Sequence, residues 1–152
     1  MFEKNLERAN TFFQSIKYSQ VKNILFGHGT FITFDLVNNF RLGSIWIYLG
    51  AWRIEENSFN VLDSESFEKE FDQKKLSQLL EGNRIQSIRL KKNSIVLEFD
   101  KGILIKVFKD VEFDYSEDDD LIIFSIVGDK TFGVSANFEI TEDHHQDDKY
   151  QP

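Results

Sequence analysis

Ile85-Gln86-Ser87-Ile88-Arg89-Leu90 decides the reading of this chain, because a similar pattern stands 64 residues earlier as Val21-Lys22-Asn23-Ile24-Leu25-Phe26. After a one-residue adjustment in the turn, Ile95, Leu97 and Phe99 follow the later segment as Ile32, Phe34 and Leu36 follow the earlier one. Alternation of apolar and polar residues marks strands with one face turned to a core. The later pair turns around residues 91–93 and the earlier one through Gly27-His28-Gly29, so both read as β-hairpins. Similarity at a fixed period suggests duplication of one supersecondary unit, with half-repeats over 1–62 and 63–141. Phe34, Leu97 and Phe99 are then the inward positions of matching hairpins.

Each half is led by a helix. Phe2, Leu6, Ala9, Phe13 and Ile16 recur at three- or four-residue spacing, which predicts an amphipathic helix over 2–16. A second helix is expected over 64–81, capped by Asp63 or Ser64 and closed by Gly82 in a left-handed conformation. Phe67, Phe71, Leu76, Leu79 and Leu80 would supply its buried side. Further strands are expected over 45–49 and at Trp52-Arg53-Ile54, and over 103–108 through an Asp100-Lys101-Gly102 turn. Strands over 121–127 and 132–140 complete the set. The fold class is α+β: two helix-plus-antiparallel-sheet half-repeats forming curled sheets around one core, with helices outside or at the ends.

At 152 residues, with 41% hydrophobic positions and 16 Phe, the chain has apolar material for one sizeable core. The expectation is a single globular domain over 1–141 and a disordered acidic tail over 142–152, whose residues show no apolar periodicity. The polar start lacks the basic-then-apolar pattern of a signal peptide. The longest apolar stretch, 45–51, is far shorter than the ~20 residues that span a bilayer. No cysteine is present, so no disulfide framework is expected. These features fit a cytoplasmic protein without a membrane partner.

Charge is distributed unevenly. Residues 1–60 and 61–110 each balance at +1, whereas 111–152 carry −10, giving −8 in total. The acidity gathers in 114–120 and 142–148, a surface that repels a nucleic-acid backbone and favours a basic protein partner.

No arrangement for nucleophilic catalysis stands out. His28 sits between glycines in an expected turn, and His144 and His145 lie in the tail. The run Asp114-Tyr115-Ser116-Glu117-Asp118-Asp119-Asp120 lacks the glycine and ligand spacing of a calcium loop, so it reads as a solvated acidic loop or a partner-binding patch. No phosphate-cradling loop is present, and neither a cofactor nor a metal is expected. Trp46, Tyr48 and Trp52 either fill the core or anchor an interface. Arg53 can stack on an aromatic face or reach a partner carboxylate. The candidate partner-binding residues are therefore Asp114, Glu117, Asp118, Asp119, Asp120, Trp46, Tyr48 and Arg53.

The order of these features resembles a loose group of small bacterial proteins, some of them toxin immunity proteins. The residues that carry the resemblance are Trp52-Arg53-Ile54, the Leu-Leu-Glu-Gly-Asn-Arg-Ile stretch over 79–85, Glu98-Phe99-Asp100-Lys101-Gly102 and Phe108-Lys109-Asp110. It spans roughly residues 20–127. Where that group tends to carry an aromatic residue after the acidic loop, this chain has Leu121 and Ile122. The resemblance implies a non-catalytic module that neutralises a toxin, and it brings no catalytic residues. A basic toxin nuclease domain would suit the acidic surface, which can cover a cleft built for phosphates. The competing expectation is a small-molecule binder using a cavity between the sheets.

Overall fold

A computed structural model describes residues 2–27, 31–116, 118–126 and 131–142. Among them the chain forms two α-helices and eleven strands: α1 (Phe2–Ser15), β1 (Gln20–Phe26), β2 (Ile32–Asn38), β3 (Phe40–Ile47), β4 (Ala51–Glu56), β5 (Phe59–Asp63), α2 (Lys69–Leu80), β6 (Ile85–Leu90), β7 (Ile95–Phe99), β8 (Ile103–Phe108), β9 (Asp120–Ile126), β10 (Phe132–Ser135) and β11 (Ile140–Glu142). The strands make two antiparallel sheets, and the class is α+β. The first sheet runs β1-β2-β3-β9-β10-β11 and the second runs β5-β4-β8-β7-β6.

Alternation dictates which faces meet. Ile32, Phe34 and Leu36 are buried on β2, as are Ile95, Leu97 and Phe99 on β7. The rings of Phe34 and Phe99 meet edge to face with centroids 6.3 Å apart, so one hydrophobic cluster joins the two sheets. The helices extend that cluster. Phe12 and Phe13 of α1 pack on Phe124 and Phe132 of the first sheet, with centroids 5.1–6.1 Å apart across the group. Gly43 makes room for them: a Cβ there would stand 2.4 Å from the Ser125 carbonyl oxygen and 3.3 Å from the Phe12 ring. Phe67, just before α2, packs on Trp52 and Phe26 at 5.3 and 5.9 Å.

Several boundaries differ from the sequence expectations. The helix expected from residue 64 begins at Lys69, because Asp63 and Ser64 are engaged elsewhere. The Asp63 carboxylate accepts both the N–H and the hydroxyl of Ser66, and the Ser64 hydroxyl accepts the Trp52 N–H. Glu68 takes the N-cap position, and its N–H donates to the Asp72 carboxylate. Phe71 is 74% exposed rather than buried, whereas Leu76 and Leu80 are fully buried. The unforeseen β5 follows a two-residue turn in which Asn57 and Ser58 both have positive φ, the geometry that suits a tight hairpin. The strand expected over 132–140 is two strands, since the chain reverses at Phe138 (φ 60°) and β11 pairs back on β10.

His28, His144, His145 and the expected tail from residue 143 onward lie outside the described residues. Among those described, no helix is long and apolar enough to cross a membrane.

Candidate functional site

The chain passes from the first sheet to the second between β3 and β4, and back again between β8 and β9. The first crossing needs only three residues, 48–50, whereas the second uses eleven, 109–119. Three residues thus suffice for the topology, and the second crossing carries a surplus loop. Loops held on a rigid scaffold beyond what the fold requires are where binding residues concentrate.

This surplus loop is tied down. The Tyr115 hydroxyl donates to the Leu49 carbonyl oxygen at 2.8 Å and accepts the Asp110 N–H at 2.9 Å. Burial raises the Tyr115 pKa above its usual value of 10.0, and the nearby Asp110 and Asp119 carboxylates push the same way against the Asp110 hydrogen bond. The phenol therefore stays protonated and able to donate. The Asp110 carboxylate accepts the Glu112 N–H, and the Asp119 carboxylate accepts the Ser116 N–H. The Phe113 ring lies 4.6 Å from that of Tyr115, and the Lys109 ammonium lies 5.6 Å from the Tyr115 ring centre. On this frame Val111 is 97% exposed and Phe113 46% exposed, apolar side chains presented to water.

Beneath the loop lies a cleft of about 790 Å³. Ala51, Trp52 and Arg53 of β4 form its floor. Asn60, Asp63, Ser64 and Glu65 wall it on the β5 side, and residues 108–113 wall it on the β8 side. Ser64 is clamped to the floor by two hydrogen bonds with Trp52, at 2.8 and 2.9 Å. Phe31 and Tyr48 close one end, their rings edge to face at 5.7 Å. Carboxylates line both walls, Asp63 and Glu65 on one and Asp110 and Glu112 on the other. The Ser66 hydroxyl, the Asn60 amide and the Ser66 N–H lower the Asp63 pKa below 3.8, so this group is ionised at neutral pH. The floor cation Arg53 is already engaged: its Nε donates to Glu55 at 3.0 Å, and Lys106 meets the same carboxylate oxygen at 3.1 Å.

The sequence candidates separate into three groups. Tyr48 and Arg53 line the cleft. Asp114 and Asp118 are exposed on the loop above it, Asp119 is half-buried, and Glu117 lies outside the described residues. Trp46 and Asp120 face elsewhere. Trp46 is half-buried and packs on Phe31 at 6.3 Å. Asp120 is only 2% exposed, so it does not belong to the accessible acidic run. It opens β9 opposite Ser135, and its carboxylate lies against Gly133 and accepts the Thr141 hydroxyl. A residue that starts a paired strand has its side chain aimed by the sheet, whatever charges precede it in the chain.

Sequence reasoning overlooked Glu65, Val111, Glu112 and Phe113. The available signal was Val111-Glu112-Phe113, an apolar and aromatic stretch in a connection that has no strand partner among the described residues.

Comparison of the chain with protein-family models, with curated proteins and with solved structures found no match.

Proposed function

We propose that the chain is a non-catalytic protein-binding module that holds a basic protein partner through the 109–119 loop and the cleft below it. Its closest functional analogy is to the immunity proteins that the sequence resembles, acting in the cytoplasm on a toxin domain, possession of a basic nuclease cleft being the partner property that fits. The observation that carries this reading is the surplus crossing. Eleven residues stand where three serve in the other half, and they hold Val111 and Phe113 in water beside Asp114 and Asp118. Apolar anchors ringed by charge are what an interface centre needs, and the charge steers the encounter.

The same proposal includes descent from a duplicated unit whose two copies exchange strands. In support, β1-β2-β3 of the first half pairs with β9-β10 of the second, and β6-β7-β8 pairs with β4-β5. The isolated bridge between Gln20 and Arg84 joins residues 64 positions apart, the offset of the sequence match. Left-handed residues recur at matching turns, Tyr18 with Gly82 after the helices and Asn39 with Lys101 between strands. Register shifts within β1 and β6 are bulges, which increase twist and would curl both sheets.

The second reading is a small-molecule binder. It is favoured by the cleft volume of about 790 Å³, within the ~300–1,000 Å³ typical of ligand pockets. This site would lie at the outer face of the second sheet rather than between the sheets, where Phe34 meets Phe99.

Co-expression with a toxin domain encoded beside this chain's gene, followed by measurement of complex formation and toxin activity, separates the readings. A stoichiometric complex that abolishes toxicity supports the module. Unimpeded toxin, together with a thermal shift from a metabolite library, supports the ligand binder.

A further inference from the structure

The lining of the cleft carries a net negative charge. Four carboxylates and two cations, Arg53 and Lys109, line it. Both cations have contacts within the chain, Arg53 with Glu55 and Lys109 over the face of Tyr115, and the four carboxylates still outnumber them. Two of the carboxylates are also occupied: Asp63 holds Ser66 and Asn60, and Asp110 holds the Glu112 N–H. Glu65 and Glu112 remain. They come from opposite walls, and among the described residues neither side chain has a hydrogen-bonding or ionic partner. Tyr48, Phe108 and Phe113 line the same cleft, and their rings can cover an aliphatic stem or face a cation.

We propose that this cleft receives a lysine or arginine side chain carried on a loop of the partner protein, with Glu65 and Glu112 flanking its charged head and Tyr48 and Phe113 covering its stem. This deepens the protein-binding reading and rests on it. An anionic side chain meets a net negative lining, four carboxylates against two cations. An apolar side chain would leave two carboxylates to be desolvated without a partner, which opposes entry. A cationic head with a long methylene stem satisfies both the rims and the rings. The hydrogen bonds of Ser64 to Trp52 and of Tyr115 to Leu49 hold both walls in place beforehand, which lowers the ordering cost of binding.

The test is an NMR titration of the isotopically labelled full chain with the peptide acetyl-Gly-Arg-Gly-amide. Saturable shifts are expected at the amides of Tyr48, Glu65, Val111 and Phe113. The citrulline analogue, which keeps shape and loses charge, should bind at least ~5-fold more weakly. The double variant E65Q/E112Q should show a similar loss for the arginine peptide at an unchanged thermal midpoint, since both side chains are unpartnered. Equal binding of the citrulline peptide, shifts centred outside the cleft, or an unaffected double variant would overturn the proposal. Spermidine binding tightly at the same amides while the peptide does not would also overturn it, making the cleft a small-amine site. Failure here is distinguishable from failure of the protein-binding reading. If the peptide is ignored but a partner's binding still needs the 109–119 loop, only the side-chain assignment falls.

Discussion

The hydroxyl of Tyr115 donates to the carbonyl oxygen of Leu49 at 2.8 Å, linking the long crossing between the sheets to the short one. The same hydroxyl accepts the Asp110 N–H, so a single side chain fixes both the middle of the loop and its beginning. Without this link the loop would pay its ordering entropy on binding. With it, Val111 and Phe113 are displayed on a frame that already exists.

Tyr115→Phe removes both bonds while keeping the ring. A stability loss of about 1–3 kcal/mol is expected, two hydrogen bonds at their usual net worth. Faster hydrogen exchange at the Asp110 amide should accompany it. The wild type also carries an alkaline signature. Because the folded pKa of Tyr115 is raised, its contribution is complete below the unfolded value of 10.0 and is lost as pH rises through the folded value. Tyr115→Phe should abolish that part of the alkaline loss. Identical stability–pH curves for the two proteins above pH ~10 would show that Tyr115 does not hold the loop.

Phe34→Ala and Phe99→Ala should each cost roughly 3–5 kcal/mol, from lost burial and the cavity left behind. Both rings are at most 2% exposed and lie in one cluster, so nearby side chains have little room to relax. A double-mutant cycle in chemical denaturation should return a coupling of about 0.5–1.5 kcal/mol for the edge-to-face pair. Additive losses would mean that the two sheets do not meet at these residues.

The parts of this fold that were legible in the sequence are those governed by local periodicity. Ile32-Phe34-Leu36 and Ile95-Leu97-Phe99 announce their inward faces because each strand must hide one side. The start of α2 was misplaced because Asp63 and Ser64 are good cap residues in isolation. Their oxygens serve Ser66 and Trp52 instead, and β5 occupies the residues before them. Of the cleft, the sequence singled out Tyr48 and Arg53 but not the walls that enclose them. The cleft's floor, 51–53, and its walls, Asn60, Asp63, Ser64 and Glu65 on one side and 108–113 on the other, are neighbours only because β4 pairs with both β5 and β8. Asp120 shows the converse error: a residue assigned by charge to its run belongs by pairing to a strand.

The loop carboxylates and Asp120 should therefore behave differently when neutralised. Replacing Asp114, Glu117, Asp118 and Asp119 with Asn or Gln should slow association with a basic partner about tenfold or more at low salt. The difference should shrink as the Debye length falls from ~10 Å at 0.1 M to ~3 Å at 1 M. Asp120→Ala should leave the association rate unchanged. It should cost about 1–3 kcal/mol of stability, because the half-buried Thr141 hydroxyl loses its acceptor and the site of the buried Asp120 side chain is left unfilled. Stopped-flow kinetics and denaturation on the same proteins separate the two effects. A loop variant whose association is unaltered at every salt concentration would reduce the acidic run to a solvated surface feature.

Shortening the second crossing tests the central claim most directly. Residues 109–119 are replaced by a three-residue linker, the length that serves between β3 and β4. Thermal unfolding and partner affinity are then measured on the same preparation. The account predicts a folded protein that retains its near-ultraviolet circular dichroism and a cooperative transition, but no longer binds the basic toxin domain at concentrations that saturate the parent chain. A shortened protein that binds this partner as tightly as the parent would contradict the account, because the loop would then be neither anchor nor steering surface.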